Sequence, residues 1–461
     1  MKNVNSKINL SLGAVGILTF VGILVETSMN VTFPTLMKTF NESLSTIQWL
    51  TTGYLLMVTL VMGATSYLLK RLRRRQLFIL SASLAVIGEL LCFSAPNFSI
   101  LMIGRLLQAS GTGISTPLMF SVIFSEIPMA YWGTYTGIAA MLISLAPALG
   151  PTFGGIMNHY LSWRAIFSTS LLLVLIALII GLVTLENRPL HAKVKFDYSG
   201  FLALSLFLIL LEFGVQQLSE HLSVAIILLL LCLISMYFFI RHEQRSKNVL
   251  FNPALFKNKY LMFRLVNYFI LQMINISLSF VIPIFAENVL LVNSLIAGLI
   301  LLPGSLLGSL SAPFAGKWYD RVGARRPLLL SNFLVVGGML LFAGFVSKFS
   351  VIIIGLVFII TRLGFNTGFG NTMSDASKAT PQSLKADQNS LFSMSQQYAG
   401  SIGTAIMSTI ISLQEKSSGS VHVGITSGSQ LGFTLLMIFG VIALLCTITL
   451  NKGGLEHGIE K

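Results

Sequence analysis

The chain is a succession of apolar stretches separated by short polar joints. Stretches of about 20 residues, the length that crosses a hydrocarbon core as a helix, run at roughly 10–33, 46–69, 76–95, 98–124, 132–157, 163–185, 199–217, 222–240, 263–285, 296–316, 327–347, 350–372, 389–412 and 431–450. This pattern predicts an all-α membrane protein with about 14 transmembrane helices. The first stretch is longer than the apolar core of a signal peptide and no small-residue cleavage site is obvious after it, so it is expected to be kept as the first helix. An even number of spans leaves both termini on one side. Of the 30 Lys and Arg, Lys38, Arg164, Lys348 and Lys416 fall on the opposite side, while Arg105 and Arg362 lie within spans. Basic loops stay in the cytoplasm, so both termini are expected there.

Composition agrees: 54% of the residues are hydrophobic and 10% are charged, too few charges to surround a soluble fold of 461 residues. The net charge of +14 could indicate nucleic acid, but its densest cluster, Lys70-Arg71-Leu72-Arg73-Arg74-Arg75, is a short loop between two spans. Topology and anionic lipid account for that cluster, and no nucleic-acid partner is expected. Cys92, Cys232 and Cys446 are scattered through predicted helices without metal-ligand spacing. They read as packing residues, and neither a metal site nor a cofactor is expected. An embedded enzyme is disfavoured because His159, His191, His221, His242, His422 and His457 all lie in loops or at helix ends, with no nucleophile and base in register. A receptor would need a sizeable extramembrane domain, which this pattern lacks.

Two segments read alike. Arg105-Leu106 is followed by Gly111-Thr112-Gly113, and Arg362-Leu363 by Gly368-Phe369-Gly370. Charges are so costly in hydrocarbon that they are usually kept there for function. Each guanidinium lies on the fourth member of a six-helix set, which predicts two six-helix, pseudo-symmetric bundles at 1–190 and 251–461 with two inserted helices at 191–250. The joins are polar: Glu186 to Asp197 carries Arg188, Pro189, Lys193 and Lys195, and the second join carries Arg241-His242-Glu243-Gln244-Arg245-Ser246-Lys247. The longest outer loop, about 413–430, is rich in Ser and Gly and is expected to be a flexible surface segment.

Three further motifs carry mechanism. The loop after the tenth span reads Gly316-Lys317-Trp318-Tyr319-Asp320-Arg321-Val322-Gly323-Ala324-Arg325-Arg326. An acid at a helix end among arginines can form a latch that a rocking motion breaks, or serve as a simple cytoplasmic anchor. The fifth span contains Ala146-Pro147-Ala148-Leu149-Gly150-Pro151-Thr152-Phe153-Gly154-Gly155, where proline removes backbone donors and kinks the helix while small residues admit a close neighbour. The first span carries Glu26 ahead of Pro34, and a carboxylate at that depth is a proton carrier by its chemistry. Glu89 is a second proton-site candidate. Glu212 is expected to snorkel towards the outer interface, Glu126 and Asp387 to pair with loop arginines, and Trp163-Arg164 to anchor the outer interface.

These segments together closely resemble the major facilitator superfamily, and in particular its fourteen-helix drug:proton antiporters such as the multidrug efflux pumps of Gram-positive bacteria. The resemblance implies that Asp320 is the acid of the loop motif, Arg105 the fourth-helix arginine of proton-linked members, Gly150, Pro151, Gly154 and Gly155 the seal of exporters, and Glu26 the first-helix acid. The first-half loop departs from the pattern, with Ser66 at the first Gly, Lys70 at the acid and Arg73 at the second Gly. The first-helix acid departs too, lying eight rather than nine residues before the proline. The expected activity is export of small lipophilic, often cationic drugs in exchange for protons, by a monomer in the lipid bilayer, driven by the proton gradient. A single-substrate exporter of the tetracycline type and a proton-coupled importer are the alternatives. Asn30, Tyr54, Gln108, Gln272, Asn275, Asn366 and Gln396 form the pool for substrate contact, together with Glu26. Flexible Met-lined cavities suit promiscuous binding.

Overall fold

A computed structural model describes residues 6–186, 195–246 and 248–452. Arg188, Pro189, Lys193, Lys247, His191 and His457 lie outside the described residues. The long helices in chain order are α1 (Ser6–Ser28), α2 (Leu44–Arg71), α3 (Arg74–Ser94), α4 (Phe98–Glu126), α5 (Trp132–Tyr160), α6 (Arg164–Thr184), α7 (Tyr198–Gln217), α8 (Leu222–Arg245), α9 (Lys259–Asn288), α10 (Ser294–Val322), α11 (Arg325–Phe345), α12 (Val351–Lys378), α13 (Lys385–Ser418) and α14 (Val421–Lys452). A 3-10 turn, Met29–Thr32, and a short helix, Phe33–Phe40, extend α1. Among the described residues there is no strand, as expected where every backbone polar group must be satisfied within its own segment. Twelve of these helical segments are long and apolar enough to cross a membrane; α4 and α13 are the two long helices that fall outside that count.

Local chemistry sets where several helices begin. Ser43, Asn97, Asp197, Asn258, Asn293 and Ser350 each cap a helix by accepting from the backbone N–H three residues on. Each cap satisfies a donor that the helix itself leaves without a partner.

The described chain divides into two compact units. One contains α1 to α4, α5 from Leu142 onward, α6, and the first turns of α13, Lys385–Met394. In it α3 packs on α4, α2 on α4, α1 on α6, α3 on α6 and α1 on α4. The other unit contains the opening of α5, Ala130–Met141, then α7 to α12, α13 from Ser395, and α14. In it α11 packs on α12, α10 on α12, α9 on α14, α11 on α14 and α9 on α12. The pairing scheme of the first unit thus recurs in the second with every helix number raised by eight. Helices α7 and α8 pair with each other.

Burial follows the same plan. In α4 almost every residue from Gly104 to Phe124 is buried, and in α12 almost every residue from Thr361 to Ser377. By contrast α6 and α8 expose leucine, isoleucine and phenylalanine along their length, the expected surface of a helix whose solvent is lipid.

The structure corrects two expectations. The segment 413–430 is not a loop: α13 continues to Ser418 and α14 begins at Val421, with only Gly419 in the left-handed region at φ 63°. Gly424 and Gly428 are packing contacts, because a side chain on the first would overlap the Glu415 backbone and one on the second would meet the Ile411 backbone at 2.8 Å. Second, Arg105 and Arg362 are not the only guanidiniums inside the fold, since Arg264 of α9 is 1% exposed. The prolines Pro147 and Pro151 lie inside α5, which remains α-helical on both sides of them.

Candidate functional site

In the first unit the sequence-predicted residues converge on Arg105. Gly22 brings α1 against α4 so closely that a Cβ there would occupy the position of the Thr112 hydroxyl. One helical turn further along α1 lies Glu26. Arg105 is fully buried, with its guanidinium 4.1 Å from the centre of the Tyr54 ring. It donates from Nη1 to Gln108 Oε1 at 3.0 Å and from Nε to the Leu50 carbonyl at 3.4 Å. Tyr54 spans the neighbouring helices, its hydroxyl 2.8 Å from Thr112 Oγ1 and donating to the Gly22 carbonyl at 3.0 Å. The charge of Arg105 acts on both Glu26 and Glu89. Glu89 is buried inside the unit and faces Gln108 of α4 and Ser170 of α6. Glu26, Tyr54, Glu89, Arg105 and Gln108 therefore form one cluster. Asn30 stands apart: it is exposed on the 3-10 turn, where Thr51 donates to it at 2.7 Å.

In the second unit the remaining pool gathers around Arg362. Its Nη1 donates to Asn275 Oδ1, and Gln272 lies one turn before Asn275 on the same helix. Asn366 donates to the Arg362 carbonyl at 3.1 Å, and the guanidinium lies 5.5 Å from the Phe365 ring. Tyr268 donates to Gln396 Oε1 at 3.0 Å and stacks on Phe369 at 4.5 Å. The two buried arginines differ in their surroundings. Arg105 has carboxylates within its field, whereas Arg362 donates to the neutral amide of Asn275.

The exporter-like segment of α5 is a seam against α1. A Cβ on Gly150 would collide with the Thr27 side chain and one on Gly154 with the Ser28 carbonyl, and Ser28 Oγ donates to the Gly150 carbonyl at 2.9 Å. These contacts adjoin Glu26 in sequence. Gly155 faces open space and Pro151 is exposed, so the motif divides into two contact residues and two that point away.

Asp320 has the position of a latch, with partners other than those expected. Its carboxylate accepts from the backbone N–H of Gly133 and of Thr134, both at 2.7 Å, and from Thr134 Oγ1 at 2.6 Å. These groups form the N-terminus of α5, where free amides and the helix dipole favour an anion. Arg321, Arg325 and Arg326 are exposed. Gly316 allows the approach, since a Cβ there would overlap the Gly133 backbone, and Gly323 ends α10 at a φ of 78°, a left-handed conformation that favours glycine.

One further acid departs from expectation. Glu212 does not reach the outer interface but is 4% exposed, accepting from Ser401 Oγ at 2.6 Å. Glu126 pairs with Arg74, as expected, and Asp387 pairs with Lys70. Arg164 lies over the Trp163 ring at 4.1 Å and donates to the Ala95 carbonyl at 2.8 Å. One cluster escapes sequence reasoning altogether. Arg264 Nε donates to Asp375 Oδ2 at 2.6 Å, Tyr260 and Tyr319 donate to the same carboxylate, and Lys378 lies 4.3 Å from the Tyr319 ring centre. The available signal was an arginine at the start of the ninth apolar stretch and an acid just beyond the twelfth.

A multi-pass helical bundle with a repeated pairing scheme and a buried guanidinium on the same helix of each repeat is the architecture of a membrane transporter. The Major Facilitator Superfamily profile matches residues 15–404, and the chain belongs to that family. It is 30% identical to the lincomycin resistance protein LmrB of Listeria innocua over 94% of each chain, and 28% identical to LmrB of Bacillus subtilis over 95% of each. It is 28% identical to a multidrug resistance protein B homolog of Mycobacterium tuberculosis, over 84% of this chain and 73% of that one. Among solved structures, the human organic anion transporter MFSD10 superposes with a TM-score of 0.69 at 13% identity, covering 96% of this chain and 100% of that one. The proton:xylose symporter XylE superposes at 0.68 with 14% identity, covering 97% and 96%. At those identities the two structures attest the fold alone.

Proposed function

We propose that the protein is a proton-coupled exporter of lipophilic, often cationic drugs, working by alternating access in a bacterial cytoplasmic membrane with both termini in the cytoplasm. The observation that carries this reading is a charge imbalance in the first unit: two carboxylates, Glu26 and Glu89, share the field of one fully buried guanidinium, Arg105. If both acids are ionised, one negative charge is left over in a medium that penalises it. A proton restores neutrality, and so does a cationic drug. The two ligands therefore compete for the same deficit, which is the requirement for exchange. Glu26, on the helix that packs against the Gly150–Gly154 seam, is the carboxylate assigned to the exchange, with Glu89 as its buried reserve. Tyr54 and Gln108 hold the guanidinium, and Gln272, Asn275, Asn366 and Gln396 provide neutral hydrogen-bonding groups for the drug. The drug class rests on relatives named for lincomycin and multidrug resistance.

The same reading includes α4 and α13 among the membrane spans, making fourteen, because residues turned inward need not be apolar. The bundles at 1–190 and 251–461 then rock as pseudo-symmetric bodies, with α7 and α8 as an insertion, and the transporter acts as a monomer.

The test is Glu26→Gln, which imitates the protonated acid permanently. Drug-induced proton release from purified protein and dye efflux from energised vesicles should both be lost, and binding of cationic dyes should fall more than binding of neutral ones. Undiminished proton release would move the exchange to another group. A narrower substrate range is the second reading, because two of the relatives carry the name of one antibiotic. A susceptibility panel in a pump-deficient host, with lincomycin beside unrelated cationic dyes, separates the two.

A further inference from the structure

The first-half loop lacks the acid found in the second, yet the structure holds an ion pair at the corresponding place. Lys70 is the penultimate residue of α2, and its ammonium pairs with the carboxylate of Asp387, which is fully buried. Ser66, four residues before Lys70, also donates to that carboxylate. Asp387 is the third residue of α13. In the second unit Asp320 is near the end of α10, Gly316 precedes it by four, and the partner Thr134 is the third residue of α5. The two arrangements match position for position with the charges exchanged. Where the second unit has a carboxylate on the ending helix and a hydroxyl on the starting one, the first has a cation on the ending helix and a carboxylate on the starting one.

We propose that Lys70, Ser66 and Asp387 form a charge-inverted counterpart of the Asp320 clasp, and that they are positioning residues for the transport cycle. Electrostatics favours each half of the exchange. A cation suits the C-terminal end of α2 and an anion the first turn of α13, so both helix dipoles are complemented. Ser66 in place of glycine suits the inversion too, because its hydroxyl supplies the carboxylate with a second donor. Nor does the turn need the second glycine: Arg73 has φ −63° and ψ 147°, ordinary extended backbone, whereas Gly323 has φ 78°. The clasps fasten comparable helices. Asp320 holds the opening of α5 in the second unit, and most of α5 belongs to the first; Lys70 holds the opening of α13 in the first unit, and most of α13 belongs to the second. If the rest of such a helix moves away from its first turns, either the helix bends or the clasp opens.

The inversion reverses an expectation about acid replacement. Lys70→Asp restores the residue that the second half uses, but here it sets one carboxylate against another. Lys70→Asp with Asp387→Thr copies the Asp320–Thr134 arrangement and should repair the damage. Closure of the clasp is read by disulfide cross-linking of Gly63→Cys with Met394→Cys in membranes, with Cys92, Cys232 and Cys446 replaced by Ala. The pair is suitable because a Cβ on Gly63 would lie 3.1 Å from Met394 Sδ. Lys70→Asp should slow cross-linking at least tenfold, because breaking a buried ion pair costs more than the ~1.4 kcal/mol that a factor of ten represents. The double variant should return it to within about twofold of the parent, while Lys70→Arg stays close to the parent. Cross-linking at the parent rate in Lys70→Asp would overturn the proposal, and so would a Lys70→Asp, Asp387→Thr protein that is well expressed but still slow. Should Lys70→Asp fail to fold, Lys70→Gln and Asp387→Asn serve instead: each should slow cross-linking and their combination should be no slower than one alone, whereas additive effects would exclude a shared contact. The proposal rests on the exporter reading only for the meaning of the cycle. Cross-linking needs no drug, so failure of the exporter reading leaves this outcome intact and separately legible.

Discussion

Replacing Gly154 by Ala and then by Leu tests the seam between α5 and α1. A Cβ at 154 would lie 2.9 Å from the Ser28 carbonyl carbon and 2.9 Å from its Cα, with the carbonyl oxygen closer still. Non-bonded carbons prefer about 3.5–4.0 Å, so α1 has to retreat by roughly 0.6–1 Å to admit one methyl, and further for leucine. The obstacle is backbone, which cannot swing aside as a side-chain tip can. Overpacking of this kind costs about 1–3 kcal/mol, a factor of roughly 5 to 150 in the population of the closed seam. The displaced segment carries Glu26 two residues before Ser28, so the damage should appear in transport before it appears in insertion. Gly155 is the internal control, adjacent in sequence with nothing within 4 Å of its added Cβ. Dye efflux from energised vesicles at matched expression should therefore fall about fivefold or more for Gly154→Ala and be almost lost for Gly154→Leu, and Gly155→Leu should keep most of it. Equal efflux in Gly154→Leu and Gly155→Leu would refute the reasoning, because only one of them meets the helix.

Arg105→Ala should abolish proton-driven accumulation while Arg105→Lys keeps a fraction, since Lys restores the charge that Glu26 and Glu89 share but not the two-point hold on Gln108 and Leu50; accumulation in inverted vesicles against an imposed pH gradient reads both, and full activity in both variants would remove Arg105 from the coupling site. Asp375→Asn or Arg264→Met alone leaves a buried charge without its counter-charge and should cost about 3–5 kcal/mol, seen as a lower melting temperature in detergent. The double change to Asp375→Leu with Arg264→Met should recover much of that loss; a double variant as unstable as the sum of the singles would mean that the two groups are not mutually compensating.

Much of the architecture was legible in the sequence because the bilayer leaves few choices. Long apolar stretches must be helices, and a guanidinium inside one, such as Arg105 or Arg362, stands out against the cost of placing it there. The same rule singled out Glu26 and Glu89, and the repeated Arg and Gly segments carried the duplication. What stayed hidden depends on distance across the fold. Arg264 and Asp375 sit near the ends of their apolar stretches, where charges ordinarily meet water, and only packing shows that they are buried against each other. The Ser and Gly run at 413–430 has the composition of a loop, but the same small residues let α14 lie against α13, and which of the two holds depends on a neighbour that composition does not contain. Lys70 by itself is a missing acid; beside Asp387 it is half of an ion pair. Intrinsic helix preference and the price of desolvation act on each residue where it stands, so the sequence alone determined the long helices, the repeated segments and the candidate charges. Pairing is a relation between residues far apart in the chain, and the tertiary structure alone decided which charge answers which, which glycine of the α5 motif is a contact, and which polar residue is left outside the cluster.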